Sequence, residues 1–163
     1  MLRPAQLYKE ELNKLYINTW YDSKYQYYHS SPSTNELLIP DNNNMHRTFA
    51  CVDKDDNIIG YFSYRIDWQS RSVYNFGLIT FTNGSTLFIR DVLEHVKDLF
   101  INHNINRLEW WAYADNPANR GYEKLVKRYG GKKVGHLHNT GMLADGKLHD
   151  TYIYEILREN MRF

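Results

Sequence analysis

Residues 110–131 read WWAYADNPANRGYEKLVKRYGG, and this stretch decides the fold. An aromatic run typical of a strand ends in Asp115-Asn116-Pro117, an amphipathic pattern typical of a helix follows, and Gly130-Gly131 closes it. Further on, Asp145-Gly146-Lys147 predicts a turn, and the alternating residues up to Leu157 predict a last strand. The sequence therefore predicts a strand, a helix and a closing hairpin as one C-terminal unit.

The bulk composition indicates one soluble domain. The chain has 163 residues and a formal net charge of +1, which is the size of one domain without the charge of a nucleic-acid-binding protein. Cys51 is the only cysteine, so no disulfide can form within the chain and a reducing setting is expected. No apolar run reaches the roughly 20 residues of a membrane span, and the N-terminus is too charged for a signal peptide. We expect a single cytoplasmic domain over residues 1–163 that binds neither membrane nor nucleic acid.

Hydrophobic periodicity predicts the order α, loop, βββ, α, β, α, ββ. The first helix follows Pro4. Tyr25 to Asn44 show no clear period and are compatible with a second short helix and a loop. The predicted strands are Thr48–Val52, Ile58–Ile66, Ser72–Phe81, Leu108–Tyr113, Lys132–Leu143 and Lys147–Leu157. The long helix after the third strand has the predicted apolar face Phe88, Val92, Val96, Leu99 and Phe100.

The junction between the third strand and this helix is a candidate anion site. Thr82-Asn83-Gly84-Ser85-Thr86 joins the two elements, and free N–H groups at a helix N-terminus attract phosphate groups. A Walker A loop is excluded because no Gly-Lys-Ser/Thr follows. The alternative is an ordinary turn in which Ser85 is the N-cap of the helix.

Polar side chains at the start of the last helix are candidate ligand contacts. Asn116 precedes a proline, which is typical of a plain helix start with Asn as the N-cap. The alternative is that the amide of Asn116 or Asn119 binds an amide-rich ligand. Tyr122 is a candidate general acid, because a phenol with a pKa of about 10 suits protonating a departing thiolate. A core tyrosine is the alternative, and Tyr113 and Tyr129 are weaker candidates for the acid.

Two charged clusters lie beside this unit. The cations are Lys124, Lys127, Arg128, Lys132 and Lys133. They are typical of a solvated face; an acidic cofactor's outer phosphate and RNA are alternative ligands, although no stacking motif supports RNA.

His136 and His138 alternate on one strand and His149 lies on the next, which is compatible with a metal site. A surface or substrate-facing role is favoured, since no cysteine or His-Glu helix motif accompanies them.

The element order and these motifs together resemble the GNAT (GCN5-related N-acetyltransferase) superfamily over about residues 47–157. Asn116 with Tyr122-Glu123-Lys124-Leu125 and Gly130-Gly131 is similar to the family's Asn-x-x-Ala/Ser…Tyr/Glu-Lys…Gly-Phe segment. The hairpin at Asp145-Gly146-Lys147 resembles the ending of ribosomal-protein and antibiotic acetyltransferases. The resemblance implies an α/β (α+β) fold with a mixed central sheet, splayed in the middle and covered by helices on both faces.

The resemblance also implies a function. A primary amine of a small molecule or a protein would attack the thioester of acetyl-CoA directly, without a covalent enzyme intermediate and without a metal. Acetyl-CoA would lie where the third and fourth strands part, Tyr122 would stand near its sulfur as the catalytic acid, and Glu109 or a water chain would be the base. The implied cofactor-binding residues are Leu78, Ile79 and Thr80 for the pantetheine, Asn83, Gly84, Ser85, Thr86 and Leu87 for the pyrophosphate, and Asn116 and Asn119 beside the pantetheine.

A GNAT-like CoA-binding or partner-binding module with weakened catalysis is the alternative function. The family's pyrophosphate loop, Arg/Gln-x-x-Gly-x-Gly/Ala, is represented here only by residues 82–87 with one glycine, and the strand before it offers no carboxylate. We expect a monomer or a homodimer that pairs through the C-terminal hairpin. The acceptor is expected to depend on the Tyr25–Asn44 loop and this hairpin.

Overall fold

The computed structural model describes residues 1–29, 36–82 and 85–162. The strands are β1 (Leu2–Pro4), β2 (His46–Val52), β3 (Ile58–Asp67), β4 (Ser72–Thr80), β5 (Arg107–Tyr113), β6 (Lys132–Met142) and β7 (Leu148–Leu157). The α-helices are α1 (Lys9–Thr19), α2 (Thr86–Asn102) and α3 (Asn119–Tyr129), and short 3-10 helices cover Ala5–Tyr8, Ser23–Tyr28 and Arg158–Asn160.

This order confirms the predicted series of one N-terminal helix followed by βββ, α, β, α, ββ. Strand β1 was not predicted. The 3-10 helix Ser23–Tyr28, which we call the tyrosine turn, overlaps the stretch from Tyr25 that is compatible with a second short helix. Helix α3 begins at Asn119 rather than directly after Pro117, because a hydrogen-bonded turn comes first. In that turn the Asn119 N–H donates to the Asn116 carbonyl at 3.0 Å, and the Ala118 N–H donates to Asn116 Oδ1 at 2.9 Å.

Helix α2 has the predicted amphipathic character. Its five predicted apolar positions are all buried: Phe88, Val92, Val96, Leu99 and Phe100. Ser85 is the N-cap, and its hydroxyl accepts a hydrogen bond from the Phe88 N–H at 3.2 Å, which satisfies one of the orphan donors of the first turn. In the part of the chain that the structure describes, neither this helix nor any other is long and apolar enough to cross a membrane.

The seven strands form one mixed sheet in the order β1-β2-β3-β4-β5-β7-β6. The β4–β5 pair is parallel and the other neighbouring pairs are antiparallel. Successive side chains of β2 point to opposite faces, so Cys51 belongs to the core under α2 and α3, whereas Val52 belongs to the core under α1 and the tyrosine turn. Helices therefore cover both faces, as predicted.

The sheet is split between β4 and β5. These strands pair only at their first residues, Ser72 opposite Arg107 and Val73 opposite Leu108. Asn75 follows at once with a φ of 55°, and the register between β4 and β3 shifts at this point. A bulge of this kind bends a strand and increases its twist. Strand β4 therefore turns away from β5, and the splay occurs between the two strands where it was expected.

Alanine at Gly121 is expected to raise the free energy of unfolding by about 0.5–1 kcal/mol, because glycine weakens a helix by that amount. Gly121 lies in α3, and apart from its own helix no described residue has an atom within 4 Å of the position its Cβ would take. Gly146 has equally open surroundings but a φ of 75°, so Gly146→Ala should lower the same free energy by about 1 kcal/mol. Urea denaturation measures both, and effects of the same sign would contradict the expectation.

Candidate active site

The edge of β4 along the split presents backbone polar groups. The Phe81 N–H donates to the Ile59 carbonyl on β3 at 3.0 Å. Since the residues that bond to a given neighbour alternate along an antiparallel strand, Ile79 also turns its polar backbone groups to β3. Leu78 and Thr80 then turn theirs to the opening between β4 and β5. Leu78, Ile79 and Thr80 were expected to pair with an extended ligand. The backbone groups of Leu78 and Thr80 face the opening, and those of Ile79 do not.

The tyrosine turn bridges the opening. The Tyr25 hydroxyl donates to the Thr80 carbonyl on β4 at 2.9 Å. The Tyr27 hydroxyl donates to the carbonyl of Asp115, just after β5, at 3.0 Å. One short helix is thus tied to both walls of the split. These hydrogen bonds were not predicted, although the density of tyrosines at positions 25–28 pointed to this segment.

Tyr122 reaches the same opening from α3. Its ring contacts Trp110 on β5 and Tyr154 on β7, with centroid distances of 5.9 and 5.8 Å. Burial raises the pKa of Tyr122, and the neighbouring Tyr154 phenol raises it further. Burial also raises the pKa of Tyr28 to about 12, with the Tyr122 phenol as the next contribution. The tyrosine turn and α3 therefore bring phenols together at the split, and both phenols stay protonated at neutral pH.

Trp110 contributes a buried donor next to Tyr122. The residue is 7% exposed, and no group among the described residues accepts a hydrogen bond from its Nε1. Leaving a buried N–H without an acceptor costs about 1–3 kcal/mol. A ligand or water beside Tyr122 would supply the acceptor, so this indole favours a binding site at the split.

Asn119 is held by protein groups. Its Nδ2 donates to the carbonyls of Tyr113 and Ala114 at 2.7 and 3.0 Å. Its Oδ1 accepts a hydrogen bond from the Tyr154 hydroxyl at 2.9 Å, and the residue is 7% exposed. Both amide hydrogens are therefore used inside the protein, where they join the start of α3 to the end of β5, and Oδ1 joins it to β7. Asn116, by contrast, is half-buried in the preceding turn.

The N-terminus of α2 follows the end of β4. Because Ser85 caps the Phe88 N–H, the N–H groups of Thr86 and Leu87 are the ones that lack an acceptor within the helix. The positive end of the helix dipole lies at the same place. The predicted contacts Asn83 and Gly84 lie outside the described residues.

Glu109, the expected base, is neutralised by a cation. It forms an ion pair with Arg107, whose Nε also lies 3.2 Å from a carboxylate oxygen of Glu155. The carboxylate that was expected to act as the base is thus engaged by Arg107, so this geometry favours water over Glu109 as the proton acceptor.

The three C-terminal histidines separate into two groups. His149 lies between two carboxylates, with Nδ1 2.9 Å from Asp115 and Nε2 3.2 Å from Asp145. Its pKa is raised mainly by the hydrogen bond with Asp145 and then by Asp115. His136 and His138 contact a different carboxylate, Asp150. The spacing that suggested one cluster of three histidines was therefore misleading.

The predicted cationic cluster is exposed at the end of α3 and the start of β6. Its members Lys124, Lys127, Arg128, Lys132 and Lys133 are all at the surface. Lys133 forms an ion pair with Glu123 at 3.1 Å and lies 4.0 Å from the ring centre of Tyr152. These contacts are those of a solvated helix face.

Comparison with known proteins identifies the fold. No protein-family model matches the chain, and no curated protein matches it. The structure of spermidine N-acetyltransferase from Vibrio cholerae in complex with CoA and spermine aligns with a TM-score of 0.76 over 98% of this chain and 96% of that chain, at 22% identity. The Vibrio cholerae spermidine/spermine N-acetyltransferase SpeG in complex with manganese ions aligns with a TM-score of 0.60 at 25% identity, over 72% and 68% of the two chains. A dodecameric structure of the spermidine N-acetyltransferase from Vibrio cholerae aligns with a TM-score of 0.61 at 25% identity, over 72% and 67%.

Proposed function

We propose that this chain, which has the fold of the GNAT superfamily, is an acetyl-CoA-dependent N-acetyltransferase. The observation that carries the proposal is the split between β4 and β5, which has a strand edge on one side, Tyr122 beside it and a helix N-terminus at its end. An extended amide-containing arm requires backbone partners, a pyrophosphate requires free N–H groups, and a departing thiolate requires a proton. One opening offers all three.

The cofactor is assigned to this opening. The amides of the pantetheine pair with the backbone of Leu78 and Thr80, the groups that turn away from β3. The pyrophosphate binds at the start of α2, at the N–H groups of Thr86 and Leu87 and the adjoining loop, because donors and dipole favour an anion there. Asn119 holds the end of β5 in place rather than contacting the cofactor through its amide hydrogens.

The chemistry is a direct transfer. The neutral amine nitrogen attacks the thioester carbonyl carbon, the C–S bond breaks as the amide forms, and the thiolate takes the Tyr122 phenol proton. The amine loses a proton to water, and the Tyr122 phenolate regains one from water. A phenol suits this step because burial raises its pKa and keeps it protonated at neutral pH, so its proton is available when the thiolate departs.

The acceptor is a small polyamine. Asp115 and Asp145 place two carboxylates around the single imidazole of His149 at the mouth of the split, so one negative charge remains even when His149 is protonated. The tyrosine turn adds aromatic faces beside them. Carboxylates attract alkylammonium groups by charge, and aromatic faces attract them by cation–π contact. A related fold holds spermine in the Vibrio cholerae structure, which supports the same substrate class here.

Calorimetry and thiol release test this function together. Acetyl-CoA is titrated into the full chain, and CoA release is then followed with spermidine, spermine, an aminoglycoside and an N-terminal peptide. Binding of acetyl-CoA with fastest release for spermidine or spermine is expected. Absence of binding at millimolar acetyl-CoA would contradict the proposal, and release only with the peptide would contradict the polyamine.

A CoA-binding module with weakened catalysis is the second candidate. The ion pair of Glu109 with Arg107 favours it, because the expected base is neutralised. Binding of acetyl-CoA without CoA release for any amine would select this candidate over the enzyme.

The tyrosine turn is expected to affect the acceptor more than the cofactor. Tyr27→Phe removes the hydrogen bond to the Asp115 carbonyl, which is worth about 0.5–1.5 kcal/mol, and should raise the KM for spermidine by about 2- to 10-fold. The KM for acetyl-CoA should stay within twofold, by the same relation between binding energy and KM. Tyr21→Phe is the control, because Tyr21 is 88% exposed just before the turn; equal effects of both variants would contradict the expectation.

A further inference from the structure

The C-terminal hairpin carries a second cluster of ligand atoms. His136 Nε2 lies 2.8 Å and His138 Nδ1 lies 2.9 Å from the same oxygen of Asp150, Oδ2. The three ligand atoms all lie within 4.8 Å of one another. One small ion can therefore contact two imidazoles and a carboxylate with minor movement of the side chains.

The pairing of β6 and β7 produces this convergence. His136 lies opposite Tyr152, and Asp150 shares the face of Tyr152 because side chains two apart in a strand point the same way. His138 follows His136 by two residues and shares that face as well. His149 falls on the opposite face, which explains why it contacts other carboxylates.

A bulge orients the carboxylate. The register of β6 against β7 shifts between Leu137 and Gly141, and Asn139 has a φ of 53° within this stretch. The Asn139 N–H then donates to Asp150 Oδ1 at 2.9 Å. One carboxylate oxygen is therefore fixed by the backbone, and the other faces the two imidazoles. Supporting hydrogen bonds of this kind orient the ligands of metal sites.

We propose that His136, His138 and Asp150 bind one divalent transition-metal ion of the zinc or nickel type. Two imidazole nitrogens and one carboxylate oxygen are ligands that such ions accept, with water completing the coordination. Magnesium and calcium prefer oxygen ligands throughout, so they bind here far more weakly. Cys51 does not compete for the ion, because it is buried on β2.

The ion stabilises the edge of the sheet by connecting β6 to β7. Strand β6 is the last strand of the sheet and most of its residues are exposed. The ligands connect β6 to β7 across the bulge, where backbone pairing is interrupted. An ion that binds the folded hairpin raises the stability of the chain by mass action. The site is separate from the split between β4 and β5, so its role is structural.

Calorimetry with zinc chloride and nickel chloride tests the proposal on tag-free, chelator-treated protein. Binding of one ion per chain is expected. His138→Ala and Asp150→Asn should each weaken the affinity by at least about 10-fold, since even supporting partners of a ligand contribute that much. His103→Ala is the matched control, because His103 is an exposed histidine 3.2 Å from Asp98 and belongs to no cluster of three ligand atoms among the described residues. The His103→Ala variant should bind zinc and nickel with the same affinity as the unchanged chain.

Three further measurements separate loss of the ion from loss of the fold. Circular dichroism without metal shows whether each variant folds, and thermal unfolding shows whether zinc raises the Tm of the unchanged chain but not of Asp150→Asn. Cobalt absorption reports the ligand set, and its spectrum should change in His138→Ala. Affinity unchanged in both ligand variants, or equally weak binding in all variants, would overturn the site.

Discussion

Replacing Tyr122 with phenylalanine is expected to lower kcat by about 100-fold, at the lower end of what a general acid contributes. The variant keeps the ring that packs between Trp110 and Tyr154 and loses only the phenol proton for the departing thiolate. A 100-fold loss corresponds to about 2.7 kcal/mol of transition-state stabilisation. The KM for acetyl-CoA should stay within about twofold, because the phenol acts on the transition state rather than on ground-state binding. Thiol release at saturating spermidine measures both constants.

Tyr129→Phe is the control for this variant. Tyr129 lies on the same helix and packs against the same core, so its hydroxyl should matter little to kcat. The pH profile adds a second criterion. Because burial raises the pKa of Tyr122 above that of an ordinary phenol, the acid stays protonated through neutral and mildly alkaline pH, and kcat should not fall with rising pH over that range. Unchanged turnover in Tyr122→Phe would remove this residue from the mechanism.

The elements predicted from the sequence are those with a strong local signal. Helix α2 has five apolar residues at helical spacing and a serine cap at position 85, so its periodicity and its start agree. Strand β1 has only three residues and exists because Leu2 lies opposite Cys51 in a distant part of the chain. No local pattern marks such a strand. The tyrosine turn likewise depends on hydrogen bonds to residues more than 50 positions away.

The candidate site was predictable in its elements but not in its side-chain contacts. The order of the elements predicted the split between β4 and β5, since it follows from the fold; the role of Tyr122 stays a prediction. The partners of Asn119 did not follow, because burial of an amide depends on which carbonyls end nearby. The contacts of the histidines did not follow either, because the bulge at Asn139 and the position of Asp150 decide which side chains meet.

Removing the Asn119 amide is expected to lower the free energy of unfolding by about 3 kcal/mol, since each buried polar group left without a partner costs about 1–3 kcal/mol. Asn119→Ala removes the hydrogen bonds to the Tyr113 and Ala114 carbonyls and leaves the Tyr154 hydroxyl without its acceptor. The Tyr113 carbonyl keeps the hydrogen bond that it accepts from the Asn116 N–H at 3.0 Å. Water can restore part of the loss at Ala114, which is half-buried, and much less at Tyr154, which is fully buried. Urea denaturation measures the change as a shift of the midpoint at constant slope.

Asn116→Ala separates this positioning role from a cofactor contact. Its amide accepts only the Ala118 N–H in the half-buried turn, so the expected loss is about 1 kcal/mol or less. If Asn119 bound the pantetheine instead, Asn119→Ala would weaken acetyl-CoA binding while the stability stayed near that of Asn116→Ala. The expected result is that Asn119→Ala loses much stability while its folded fraction binds acetyl-CoA with nearly unchanged affinity. This result identifies Asn119 as the residue that fixes the end of β5. The position of Tyr122 then depends on it, because Asn119 opens the helix that carries this tyrosine.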